Sequence, residues 1–292
     1  MKKTVKHIVI AALLLIFTIP AAAKDGAYGS AGLKLIVSDD ENISQQYTKS
    51  SAIMGWRNEM FDASASYNRW TSYSITDELL NSKEIDINQT GGDFTIYAGD
   101  MLSISGGYSY LNGTSSYIAH RAAGDIIFDF DGIDISLDSS IKDTEYEFNG
   151  MIKNTSIITG GEITFDITEK YFWDLSYIYE YTDYETYGYV YTKNSGRIGI
   201  LAIPANNFFF LSGVSAGSDS DNINSAGFDA GLTIKIFKHL KLSAAYMLTA
   251  EFITSESETT TSGRRKSTAT SSTSSSYTDI SQTGNISVSL YF

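Results

Sequence analysis

Residues Ala226–Leu248 read AGFDAGLTIKIFKHLKLSAAYML. One face of the first half carries Ala226, Phe228, Ala230, Leu232, Ile234 and Ile236, and the other carries Gly227, Asp229, Gly231, Thr233 and Lys235. After Lys238-His239 the alternation resumes, with Leu240, Leu242, Ala244, Tyr246 and Leu248 against Lys241, Ser243, Ala245, Met247 and Thr249. Successive side chains of a strand point to opposite faces, so a period of two builds one apolar and one polar face. Two such runs joined by a tight turn form a hairpin. About ten residues is also the length a tilted strand needs to cross hydrocarbon.

Working outward, the same unit recurs. Phe61, Ala63, Ala65 and Tyr67 alternate with Asp62, Ser64, Ser66 and Asn68. Leu102, Ile104, Gly106 and Tyr108 alternate with serines and Gly107, and Ile133, Ile135 and Leu137 follow an Asp131-Gly132 turn. Ile163, Phe165 and Ile167 continue the pattern, as do Trp173, Leu175, Tyr177 and Tyr179. The alternation is less clean near Ser51–Trp56 and Ile198–Ile203. Short turns fall near Asn58, Gly99, Gly132, Glu169, Asn206 and His239. Between them lie polar stretches at Asp39–Lys49, Ser74–Lys83, Asn112–Gly124, Asn149–Thr155, Asp183–Asn194, Gly217–Asn224 and Thr254–Thr278, which read as long connections. Short connections on one side and long ones on the other characterise transmembrane barrels. The expectation is an all-β, antiparallel up-and-down transmembrane barrel of about 14 strands, between 12 and 16, with short periplasmic turns and long extracellular loops.

The ends and the composition agree with export. Lys2, Lys3 and Lys6 precede an apolar run over Ile8–Ile19 that is short for a transmembrane helix, and Ala21-Ala22-Ala23 follows. That is the form of a cleavable signal peptide, residues 1–23, leaving a barrel over 24–292. There is no Cys, and Pro204 is the one proline beyond the leader, which suits continuous sheet. The 20 tyrosines suit apolar–aqueous boundaries. A net charge of −13 argues against nucleic acid as a partner, because phosphates demand Lys and Arg.

In the last strand Ile286, Val288, Leu290 and the terminal Phe292 share one face. This resembles the C-terminal signature of Gram-negative outer-membrane β-barrel proteins. The resemblance implies location in the outer membrane, contact with its lipid, and recognition of these four residues by the barrel-assembly machinery. The length and strand number resemble the small monomeric porins and the long-chain fatty-acid channels. The latter carry an N-terminal plug before the first strand, for which the strand pattern here leaves no room. The resemblance therefore implies an unplugged channel.

The function expected is passive diffusion of small hydrophilic solutes or ions through a polar lumen. The alternative is a non-conducting barrel with a structural, adhesion or loop-display role. Candidate pore-lining residues on the polar face are Asp62, Asp93, Asp129, Asp134, Asp138, Glu162, Asp166, Asp174, Glu180, Asp229, Lys235, Lys241 and Glu251, with Lys34 as a further inward base. Acid outnumbers base, so weak cation selectivity is expected. Arg264-Arg265-Lys266, within the Ser/Thr-rich tract Thr254–Thr278, is a candidate gating loop. His120 reads as lying in a long external connection near Ser115, Ser116 and Asp125, the residue types of a hydrolytic set, without a spacing that fixes their geometry. Asp219-Ser220-Asp221-Asn222 offers oxygen ligands but lacks a complete calcium motif. The expectation is accordingly no enzyme, no cofactor and no metal. Interfacial belts are expected at Trp56, Phe61, Tyr97, Tyr171, Phe208, Phe237 and Phe292 on one side, and at Trp70, Tyr73, Tyr110, Tyr181 and Phe252 on the other.

Overall fold

The computed structural model describes residues 26–39, 44–76, 82–147, 150–205, 207–237, 240–262 and 268–291. They form fourteen strands: β1 (Gly26–Asp39), β2 (Ser44–Arg57), β3 (Phe61–Thr76), β4 (Ser82–Tyr97), β5 (Leu102–Gly113), β6 (Ile118–Phe130), β7 (Ile133–Glu147), β8 (Met151–Thr168), β9 (Tyr171–Tyr184), β10 (Tyr189–Ala205), β11 (Phe208–Asp219), β12 (Asn224–Phe237), β13 (Leu240–Ser262) and β14 (Thr268–Tyr291). Each strand pairs antiparallel with its sequence neighbours. β1 meets β14 from Ser30↔Tyr291 to Asp39↔Gln282, closing the barrel. Closure leaves no unpaired edge, which is the condition for sheet to survive in hydrocarbon. No described helix is long and apolar enough to cross a membrane.

The stretch that opens the sequence reading is the β12–β13 hairpin, in register from Asn224↔Phe252 to Lys235↔Lys241, with a bulge before Phe237↔Leu240. The short turns near Asn58, Gly99, Gly132 and Glu169 lie where the sequence places them; Asn206 and Lys238-His239 fall outside the described residues. Asn58 Oδ1 accepts from the amides of Met60 (2.9 Å) and Phe61 (2.8 Å), which reverses the chain between β2 and β3. Gly132 takes a positive φ of 80° in the Asp131-Gly132 turn, where a Cβ would be strained.

The bounds of several long connections shift. Much of their polar sequence is strand: Asn112–Gly124 contributes the end of β5 and the start of β6, and Asn149–Thr155 the start of β8. Thr254–Ser262 pairs with Thr268–Ser276 as a tall extension of β13 and β14. Ser and Thr without Pro can pair on both sides as readily as apolar residues, so polarity marked the emergence from lipid and not the end of the strand. Arg264, Arg265, Lys266 and Phe292 lie outside the described residues, as do residues 1–25, where the signal peptide is expected.

One face of the sheet is apolar and exposed all round the barrel: Met54 (61%), Ile96 (51%), Leu137 (53%), Val214 (57%) and Ile286 (58%). A surface of that extent has no place in water and fits a bilayer. The opposite face contains Asp62 and Asp174, 7% and 6% exposed, and is the interior. Trp56 and Phe61 meet at 6.4 Å on the outer face near the lower rim. Trp70 corrects the belt expectation. It pairs with Lys49 and Ile87 on the interior face, with the Lys49 ammonium 4.8 Å from its ring centroid. Tyr97 likewise has interior parity, opposite Ser103. Arg69 faces outward and is ion-paired with Asp86 at 3.4 Å.

A compact apolar core sits inside the outer end of β4–β8, formed by Ile85, Ile87, Leu111, Tyr117, Ala119, Tyr146 and Ile152, with Trp70 packed against it. The β5–β6 turn is held over it. Thr114 N donates to Asp86 O at 3.0 Å, and Glu147 N donates to Ser115 O at 3.0 Å. Burial pushes the Tyr117 phenol up to about 12, so it stays neutral.

The inside–outside assignment makes a direct prediction. Leu242 faces lipid and its neighbour Ser243 faces inward, opposite Thr233. Leu242→Arg is expected to cost roughly 2–4 kcal/mol if it lies at the midplane, and Ser243→Arg much less. Heat-modifiable gel mobility after refolding into detergent will rank them; equal assembly of the two would reverse the assignment.

Candidate functional site

Fourteen strands about 4.8 Å apart and tilted by about 40° close a ring roughly 28 Å across between backbones. Such a ring lies between small barrels filled by their own side chains and wide barrels with an aqueous channel. Every described residue belongs to the wall or to a turn joining neighbouring strands. What fills the centre is therefore decided by the interior side chains.

The register places Asp62, Asp93, Asp129, Asp134, Asp138, Glu162, Asp166, Asp174, Glu180, Asp229, Lys235, Lys241 and Glu251 on the interior parity. It adds interior groups that the sequence reading did not assign: Lys49, Arg57, Arg121, Lys142, Lys193 and Arg197 among the bases, and Asp125, Asp219 and Asp279 among the acids. Acid still exceeds base, by less than the sequence implied. Lys49, Arg121 and Lys193 fall in stretches taken for loops, and Arg57 and Arg197 border the stretches where alternation is blurred; Lys142 lies in neither.

Three of the acids are paired with arginines. On β9, β10, β11 and β12 one row of directly paired residues reads Asp174, Gly199, Gly213, Asp229. Arg197 fills the space above the two glycines. Its guanidinium bonds Asp174 through Nη1, and Asp229 through Nε and Nη2, both at 2.8 Å. A Cβ on Gly213 would lie 2.5 Å from Arg197 Nη2, and one on Gly199 2.5 Å from Nη1. The glycines are thus the seat of the arginine, and the bridge spans four strands. At the lower rim Arg57 Nε donates to Asp62 Oδ2 at 2.6 Å, and the Tyr28 hydroxyl donates to Asp62 Oδ1 at 2.6 Å.

The lower halves of β6, β7 and β8 are different. Asp125 faces Asp138 and Asp129 faces Asp134 in register, with Glu162 and Asp166 on the next strand. No described interior base lies among the aspartates, whereas Glu162 shares its row with Ser176 and Arg197 and feels the arginine's charge; Arg121 and Lys142, themselves paired in register, stand higher on the same wall. Like charges directly opposed across strands repel, so this stripe is stable only where water or mobile cations screen it.

The other chemistry considered in the sequence is dispersed. His120 lies within β6 and not in a loop, a correction that follows from the extended strands. It faces outward, with Nδ1 2.5 Å from the Tyr108 hydroxyl, whereas Asp125 faces inward. Ser115 and Ser116 form the turn, at φ of 59° and 54°. Asp219 Oδ1 accepts the amides of Asp221 (3.0 Å) and Ile223 (2.9 Å), so it shapes a turn. No group of three or more metal-ligating side chains occurs among the described residues.

The closed fourteen-strand barrel with an apolar outer face has the fold of the bacterial outer-membrane β-barrels. No protein-family model and no curated protein matches the sequence. Solved structures do. A CymD monoaromatic hydrocarbon channel is similar with a TM-score of 0.59 at 9% identity, over 92% of this chain and 89% of that one. The toluene transporter TodX of Pseudomonas putida is similar at 0.52 and 9% identity, over 94% and 92%. An anion-selective porin from Comamonas acidovorans is similar at 0.50 and 8% identity, over 91% and 98%. At these identities the likeness is one of fold.

Removing the Arg197 guanidinium strands two carboxylates that are one-quarter exposed or less. Arg197→Met is expected to destabilise the barrel by about 3 kcal/mol, the scale of breaking a partly buried pair from one side. Adding Asp174→Asn and Asp229→Asn is expected to restore most of that loss, because the stranded charges go with the partner. Thermal unfolding followed by circular dichroism in one detergent checks both.

Proposed function

We propose that the chain is an outer-membrane channel for passive diffusion of small hydrophilic solutes or ions, weakly selective for cations. The observation that carries this reading is the carboxylate stripe on β6–β8, in which Asp125, Asp129, Asp134, Asp138 and Asp166 have no described base among them. A packed interior would not tolerate opposed carboxylates without counter-ions, since burying an unpaired charge is far costlier than hydrating it. Water in the lumen hydrates them, and fixed negative charge then concentrates mobile cations and repels anions. The fold it shares with the hydrocarbon channels and the anion-selective porin also supports transit through the barrel. Those proteins' solutes do not transfer, because the interior side chains decide selectivity.

A display or adhesion barrel remains the competing reading, and planar-bilayer recording separates the two. Stable current steps are expected, with a reversal potential under a KCl gradient that favours potassium. The preference is expected to fade in concentrated salt, which screens charge over about 3 Å at 1 M against about 10 Å at 0.1 M. Converting Asp125, Asp129, Asp134 and Asp138 together to Asn is expected to move the reversal potential toward zero or toward chloride. Silence from correctly folded protein would favour display, and a chloride preference in the unaltered channel would refute the selectivity.

A further inference from the structure

The outer rim above β9–β12 holds a cavity that ion passage as such does not use. Its volume is about 380 Å³, and it is lined by Tyr184, Tyr189, Tyr191 and Asp221. Tyr184 ends β9 and Tyr189 begins β10, directly paired across a turn in which Gly188 has φ 64°. Their rings stack at 6.0 Å with 27° between planes. Tyr191 follows two residues along the same face. The next hairpin supplies the acids. The Tyr189 hydroxyl donates to Asp221 Oδ1 at 2.5 Å, and the Tyr191 hydroxyl donates to Asp219 Oδ2 at 3.2 Å. Asp219 in turn caps its own turn through the amides of Asp221 and Ile223. The two hairpin tips are therefore tied together around the cavity, and the phenols are held as donors.

The surroundings are acidic. Glu180 and Glu251 join Asp219 in acting on Tyr191. Lys193, opposite both Glu180 and Asp219 in register, is the one base on the adjoining interior positions of these strands. Three tyrosine rings in a net negative field attract a cation with an apolar skin, since the face of an aromatic ring is the negative end of its quadrupole. An anion would be repelled. A neutral sugar would find two of the phenol donors already committed to carboxylates.

We propose that this cavity binds small organic ammonium ions, quaternary ones above all, at the outer mouth of the barrel. The inference rests on the cation-preferring channel reading and names a solute class for it. Binding is measured independently of conduction, by isothermal titration of choline chloride into the folded, detergent-solubilised protein. Saturable binding is expected, with the uncharged isostere 3,3-dimethylbutan-1-ol at least about tenfold weaker. Tyr189→Leu and Tyr191→Leu are each expected to weaken choline about tenfold. Tyr189→Phe, which keeps the ring, is expected to retain most of the affinity. Heat-modifiable mobility confirms that each variant is folded. Equal binding of choline and its isostere, displacement of choline by glucose, or unchanged affinity in both leucine variants would each overturn the site. Potassium preference without choline binding would overturn the site and leave the channel standing. Choline binding in a barrel that passes no current would do the reverse.

Discussion

The structure depends on the closing ladder between β1 and β14. In hydrocarbon an unmet backbone amide or carbonyl costs several kcal/mol, and an open sheet would present a whole edge of them. Ten residues of β1 meet ten of β14, from Ser30↔Tyr291 to Asp39↔Gln282. Once that seam is fixed, the period of two assigns every residue to lipid or lumen, and a slip of one residue anywhere would exchange the two faces. The seam therefore governs function as well as stability, because it decides which carboxylates share the interior.

This dependence explains what could be read from the chain. Strand existence, the turns near Asn58, Gly99, Gly132 and Glu169, and the apolar face were legible, because each rests on neighbours within about ten residues of sequence. The polar stretches were not. Thr254–Ser262 has no apolar face to reveal it as strand, and its pairing with Thr268–Ser276 is visible only in the fold. The parity of Asp174 and Asp229 was legible strand by strand, but Arg197 was not. Ile198 and Ile200 mark it as inward, yet Gly199 between them and the apolar run Ile200–Ile203 blur the alternation. Trp70 failed for a different reason. Aromatic residues near a strand's end were assigned to the lipid interface by residue type, and its even position on β3, shared with Asp62 and Asn68, was the better guide.

The interior charges fall into two physical kinds. Asp62, Asp174 and Asp229 are bound to two arginines, which offset most of their charge, while the β6–β7 aspartates have no such partner among the described residues. Composition cannot distinguish the two, since both are aspartate on the polar face of a strand. Register can. Asp174 and Asp229 are separated in their row by two glycines, which leave room for a guanidinium. Asp125 and Asp138 are direct neighbours, as are Asp129 and Asp134, with no room for a base between them.

Glycine placement thus sets which interior charges are silent. A side chain at Gly199 or Gly213 would expel Arg197 from its seat and release two carboxylates into the lumen. The bridge cross-links β9, β10 and β12 on the inside, where no backbone bond can, because β10 and β12 are not adjacent. It stiffens one wall from inside, whereas the opposed aspartates on β6 and β7 have no arginine seated between them. The width of the barrel is set by strand number, and the charge its interior presents by the carboxylates that the register leaves without an arginine.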